Sequence, residues 1–211
     1  MQPRRHFSML RDFQLADWFT LGNAFCGTGA IFAALRFLQE RSASFDSRRD
    51  LLWGMALIPL AFVFDALDGR VARWRQSAST LGRELDSLSD VISFGVAPAA
   101  LGYACGLQGG WDWIVLSYFV GCGVSRLARY NVTAEALSGE EGKVRYFEGT
   151  PIPTSVVIVG LLAWAAAQAR IGEALWFGVH RLGPWQLHPL VLVYALSGSL
   201  MISKTLRIPK P

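Results

Sequence analysis

Apolar residues run along this chain in stretches of about twenty, the length a helix needs to cross a bilayer core, and short polar or Gly/Pro-rich breaks separate them. Six such stretches are legible: 18–38, 51–74, 81–107, 111–130, 151–169 and 184–203. Gly109-Gly110, Pro151, Pro153 and Pro184 mark breaks. Trp53, Trp111, Trp113, Trp176 and Trp185 fall near expected span ends, as interfacial aromatics do. The pattern predicts an all-α integral membrane fold of six transmembrane helices. Residues 1–17 form an N-terminal cytoplasmic or interfacial segment, 18–206 the six-helix membrane domain and 207–211 a cytoplasmic tail. In the first segment Phe7, Leu10, Phe13 and Leu15 mix with charges, which reads as a short amphipathic helix on the membrane surface, with a polar tail as the alternative. No small-residue cleavage site follows the first apolar run, so it does not read as a cleavable signal peptide.

Composition agrees with this reading. Hydrophobic residues make up 52% of the chain and charged residues 17%, the latter gathered between the apolar runs. The polar stretch 132–150 is too short to bury a core of its own. An even number of spans puts both termini on one side, and that side carries fourteen of the twenty Lys and Arg residues. The excess predicts that both termini are cytoplasmic. The net charge of +4 suits an anionic membrane face, and no basic patch interleaved with aromatics points to nucleic acid. Cys26, Cys105 and Cys122 have no metal-binding spacing and read as packing residues. His6, His180 and His188 are scattered and receive no catalytic role.

The chemistry lies in one stretch. Asp65, Asp68, Gly69, Ala72 and Arg73 are spaced i, i+3, i+4, i+7 and i+8, so on a helix they share a face; Gly82, Asp86 and Asp90 do the same at i, i+4 and i+8. The polar segment 75–80 between them predicts a helical hairpin whose acidic faces meet at its cytoplasmic end. A carboxylate near the centre of a membrane helix costs on the order of 2.5–3.5 kcal/mol on insertion scales, and mutual repulsion adds to that. Two divalent cations would cancel four negative charges, and carboxylate oxygens are hard ligands suited to Mg²⁺ or Mn²⁺. Two such ions ~3.5–4 Å apart can hold both the attacking and the leaving oxygen of an in-line phosphoryl displacement. Small residues at 69, 72 and 82 leave room for a nucleotide, and Arg73 can neutralise phosphate oxygens. An alcohol nucleophile would need a carboxylate as its base; spacing alone does not say which.

The order Asp65-x2-Asp68-Gly69-x2-Ala72-Arg73-x8-Gly82-x3-Asp86-x3-Asp90 resembles the motif of the CDP-alcohol phosphatidyltransferase family at every fixed position. That resemblance implies a six-helix fold, homodimeric, in a prokaryotic cytoplasmic membrane, with a cytoplasm-facing polar cavity, a CDP-linked lipid donor and divalent metal. It also implies metal ligation by Asp65, Asp68, Asp86 and Asp90, with Asp90 the general base as well. CMP and pyrophosphate binding is implied for Asp65, Asp68, Gly69, Ala72, Arg73 and Gly82.

Three further stretches, 21–27, 86–98 and 126–131, resemble the phosphatidylserine synthase branch, as does Phe147-Glu-Gly-Thr-Pro-Ile-Pro153. The branch implies CDP-diacylglycerol and L-serine as substrates, with membrane lipids around them. The serine carboxylate would need a cation, and Arg126 and Arg129 either supply it or anchor the cytoplasmic end of the fourth span. Asn131 belongs to the same acceptor-side stretch. Asn23 either hydrogen-bonds substrate or joins two helices. Other acceptors, glycerol-3-phosphate or inositol phosphate, would want a denser basic pocket. A divalent-cation transporter is the rival of another class; acids at a helix end beside Arg73, and no internal repeat, weigh against it.

Overall fold

The computed structural model describes residues 15–40, 45–75, 80–137, 146–203, 205 and 207–209. The surface helix expected within 1–17 lies outside the described residues except for 15–17, and so do residues 76–79 of the expected polar connection.

Helix α1 (Leu15–Gln39) opens the chain. One face buries Asp17, Thr20, Asn23, Gly27, Ala30 and Ala34 at helical spacing, while Trp18, Phe25, Phe32 and Leu35 point outward. Helix α2 (Phe45–Arg75) packs along it through Leu51, Met55, Ile58 and Ala61. The two backbones approach closely because the contact is made of small residues: a Cβ at Gly54 would lie 2.5 Å from that of Ala33.

Helix α3 (Thr80–Asp90) runs through a π-helical turn, Val91–Val96, into α4 (Ala97–Cys105). The wide turn follows from Pro98, which has no N–H for the ladder and crowds the carbonyl of Phe94; the Ala97 N–H bonds instead to Ile92 O, five residues back. Gly106 ends α4 at φ 125°, where a side chain would strike the Gly172 backbone 2.9 Å away. Helix α5 (Gly110–Leu137) follows. Pro151 is extended (ψ 146°) and leads through a 3₁₀ turn, Ile152–Thr154, into α6 (Ser155–Ala167), the rigid non-helical start expected from its two prolines. Helix α7 (Leu192–Ile202) closes the bundle. The core between the helices includes Phe94, Leu101, Phe119, Ile152, Leu162 and Tyr194, whose hydroxyl donates to Pro98 O at 2.7 Å. Cys26, Cys105 and Cys122 are buried free thiols, as their apolar settings predicted.

The architecture is mostly helical, and a helical segment occupies each of the six apolar stretches. Residues Leu15–Gln39, Ser47–Val71 and Leu81–Cys105 are long and apolar enough to cross a membrane; Ile152–Ala167 and Pro189–Ile202 are apolar but shorter.

Two pieces of antiparallel structure were not expected. Strand β1 (Tyr146–Glu148) pairs with β4 (Arg207–Pro209), so the presumed tail is tied back to the loop before α6. Strands β2 (His180–Leu182) and β3 (Trp185–Leu187) form a hairpin around Gly183-Pro184, with Gly183 at φ 64°. The sixth helical segment therefore starts with a 3₁₀ turn at Pro189–Val191, not at Pro184. The apolar run misled there because Trp185 and Leu187 serve the hairpin: Trp185 packs edge-on against Trp111, and Trp111 Nε1 donates to Leu182 O at 2.9 Å.

Candidate active site

The C-terminal part of α2 carries Asp65 and Asp68, one turn apart, and α3 carries Asp86 and Asp90. The hairpin brings one carboxylate oxygen from each of Asp65, Asp68 and Asp86 to within 4.8 Å of one another. Asp68 and Asp90 are buried, at 6% and 7% exposure, and Asp65 and Asp86 are half-buried. Asp86 Oδ1 is buried without a hydrogen-bond partner. Three converging carboxylates, one of which carries an orphaned oxygen, form the hard all-oxygen donor set that a divalent cation takes, so the residues fit a metal ion. Left to themselves, such close carboxylates repel one another.

Asp90 stands slightly apart. Its Oδ1 accepts a hydrogen bond from Asn23 Nδ2 at 3.1 Å, yet it remains in the electrostatic field of Asp65, Asp86 and Asp68. The expected four-acid centre is thus three converging oxygens with a fourth acid beside them.

Helix α1 lines the other wall, with residues that the motif does not include. The Thr20 hydroxyl lies 2.8 Å from Asp68 Oδ2 and 3.2 Å from Ala16 O, and its single proton goes to the nearer, charged acceptor. Asp17, buried and one turn before Thr20, adds its field at Asp68. Ser93 Oγ, in the π turn, donates to Asn23 O at 2.8 Å. Thr20 and Asp17 were missed; the available signal was polar residues at helical spacing within an apolar span, Asp17, Thr20 and Asn23.

The remaining predicted residues divide. Gly69 and Gly82 are half-buried beside the acids, on the acid-bearing helices; the side chains of Ala72 and Arg73 lie outside the described residues. Arg126 is half-buried in the field of Asp90, and its Nε is buried without a partner. Arg129, three residues on, is half-buried. Asn131 is engaged elsewhere: its side chain exchanges hydrogen bonds with Ser87 Oγ at 3.0 and 3.3 Å, which ties α5 to α3 next to Asp86. That pairing makes Asn131 a helix–helix contact.

A cavity of about 710 Å³, lined by Phe37, Gln108, Glu173 and His188 among others, includes none of these acids. Phe37 is seventeen residues beyond Thr20 on α1, about 25 Å along the helix, so the cavity lies at the far end of the bundle.

Several relatives and a family profile match the chain. The 44% identical CDP-diacylglycerol–serine O-phosphatidyltransferase of Saccharomyces cerevisiae aligns over 209 residues, 98% of this chain and 74% of the relative. The like-named protein of Mycobacterium bovis is 40% identical over 134 residues, 62% of this chain and 46% of the relative. An archaetidylserine synthase of Methanothermobacter thermautotrophicus is 42% identical over 110 residues, 49% of this chain and 42% of the relative. The chain thus spans about three quarters of the yeast relative and less than half of the other two. A profile described as CDP-alcohol phosphatidyltransferase matches residues 13–196, the part of the chain that holds the acid-bearing hairpin, the α1 wall and Arg126, and on that match the chain belongs to the CDP-alcohol phosphatidyltransferase family.

Proposed function

We propose that the chain transfers the phosphatidyl group of CDP-diacylglycerol to L-serine, forming phosphatidylserine and releasing CMP. The observation that carries this reading is the convergence of Asp65, Asp68 and Asp86 with Asp90 beside them. Asp65, Asp68 and Asp86 hold divalent metal, Mg²⁺ or Mn²⁺, and Asp90 completes the set for two ions. A metal held there would supply positive charge to the pyrophosphate oxygens. Gly69, Ala72, Arg73 and Gly82 receive CMP and the pyrophosphate.

Asp90 takes the proton of the serine hydroxyl as that oxygen bonds to the phosphorus bearing diacylglycerol. The bond from this phosphorus to the bridging oxygen breaks, and CMP leaves with the electron pair. Near Asp90 the protein leaves two buried polar atoms unpartnered and of opposite kind: the acceptor Asn23 Oδ1 and the donor Arg126 Nε. A zwitterion satisfies both, its ammonium at Asn23 and its carboxylate at Arg126, with Arg129 adding positive charge. Glycerol-3-phosphate and inositol phosphate have no ammonium to meet Asn23. Serine is also the head group named for the three relatives.

In this reading the six helical segments cross a cytoplasmic membrane as one domain, 18–206, with both termini and the acids on the cytoplasmic side. The excess of Lys and Arg on that side supports the orientation. The donor's acyl chains stay in lipid while its head group reaches the acids, and two copies of the chain form a dimer.

CMP release from CDP-diacylglycerol by purified protein in detergent, with a panel of alcohols, tests the reading. Asp68→Asn and Asp90→Asn should each abolish release, and serine should be the preferred acceptor. Near-normal turnover in both variants would refute the site.

A further inference from the structure

We propose that α1 is the positioning element of the site: Thr20 sets Asp68, and Asn23, held in place by Ser93, sets Asp90. The inference rests on the metal reading above and adds residues outside the motif.

Asp65, Asp68, Asp86 and Asp90 all belong to one hairpin, α2 and α3, within which the Gly69 backbone bonds Asp68, but that bond does not set Asp68 against the acids of the other helix. The hydrogen bonds that orient two of them come from a third helix. Thr20 Oγ1 takes Asp68 Oδ2 at 2.8 Å and Asn23 Nδ2 takes Asp90 Oδ1 at 3.1 Å. In each case one oxygen is held and the other is left outside the clamp. Both donors are shielded from water, Thr20 at 3% exposure and Asn23 at 0%, so solvent does not exchange for them. An ionised Asp can only accept, so the Asn23 amide turns its NH₂ to Asp90, which strands Oδ1.

The clamp is fixed in height as well as direction. Ser93 Oγ bonds the main-chain carbonyl of Asn23 at 2.8 Å, from the π turn that begins directly after Asp90. Asp90 and Ser93 are an i, i+3 pair across the start of that turn, so one side chain holds Asn23's backbone while the other accepts from its side chain. Outer partners of this kind fix the direction of metal-binding carboxylates and change metal affinity about 10–100-fold when removed.

The test is Mn²⁺ binding to purified protein without lipid substrate, followed by electron paramagnetic resonance, alongside kinetics. Thr20→Val should weaken Mn²⁺ binding about 10-fold or more, Thr20→Ala should do the same, and Thr20→Ser, which keeps the hydroxyl, should bind as the parent does. Parent-like affinity in Thr20→Val or Thr20→Ala overturns the Asp68 half, as does loss of affinity in Thr20→Ser. Asp68→Asn is run beside them: if it too binds Mn²⁺ like the parent, the metal reading itself fails, whereas if it alone loses Mn²⁺ only the positioning role falls. For Asp90, Ser93→Ala should lower kcat about 10-fold with KM for CDP-diacylglycerol unchanged. An unchanged kcat, or a loss confined to KM, overturns that half.

Discussion

Gly27 tests how tightly α1 must sit against the π turn. A Cβ placed there would lie 2.4 Å from Ser93 Oγ, 2.7 Å from Ser93 Cα and 3.0 Å from Ser93 Cβ, whereas ordinary contact begins at 3.4 Å. The hydroxyl could rotate away, at the cost of its bond to Asn23 O; the Cα is backbone and cannot. Relief therefore requires α1 to retreat by 3.4 − 2.7, about 0.7 Å. Asn23, one turn back on the same helix, would move with it, taking its 3.1 Å bond to Asp90 to about 3.8 Å, beyond hydrogen-bond reach. Overpacking of this kind costs about 1–3 kcal/mol of stability, and a shift of about 1 Å at a reacting group costs up to about 10²-fold in rate. Gly27→Ala should therefore lower CMP release about 10–100-fold and lower the thermal midpoint in detergent. Gly160→Ala, where nothing lies within 4 Å of the new methyl, is the control and should do neither. Turnover of Gly27→Ala within about twofold of the parent would show that the α1 contact does not hold the acids, and the reasoning above would fall.

At the far end of the bundle Asp112, wholly buried, accepts from the Gly109 and His188 N–H groups at 2.8 Å each and pairs with His188 Nδ1. Asp112→Ala strands two buried N–H groups at about 1–3 kcal/mol each, so it should lower the thermal midpoint more than His188→Ala does and leave the serine KM unchanged; equal melting of the two variants would contradict this. Arg126→Lys keeps the charge but not the guanidinium Nε, and should raise the serine KM about 10-fold with little change in kcat, whereas an unchanged KM would move the serine carboxylate elsewhere. Chelation of divalent ions should stop CMP release, and Mn²⁺ or Mg²⁺ should restore it; full activity in excess chelator would refute the metal.

The chemistry of this protein was legible because its motif is local. Asp65 and Asp68 on one helix, and Asp86 and Asp90 on the next, share faces through the 3.6-residue period alone, and the two helices are close neighbours in sequence. Six helical segments followed from run length in the same way. The misjudged start at Pro184 came from the same cue, since run length does not distinguish a helix from an apolar hairpin such as 180–187. Asn131 was assigned to the substrate from its neighbours Arg126 and Arg129, but its partner, Ser87, comes from another helix.

By itself the sequence determined the membrane class, the helices, the acid set and the family resemblance, each of which depends on spacing within a few turns. Only the tertiary structure decided that α1 faces the acids with Asp17, Thr20 and Asn23, that Asp90 stands apart from the other three, and that Asp112 binds His188. The reason is physical: in a membrane both the buried and the lipid faces of a helix are apolar, so hydrophobic pattern does not reveal which face turns inward. That choice rests on small residues such as Gly27 and Gly54 letting particular backbones approach, a property of pairs of helices rather than of either one.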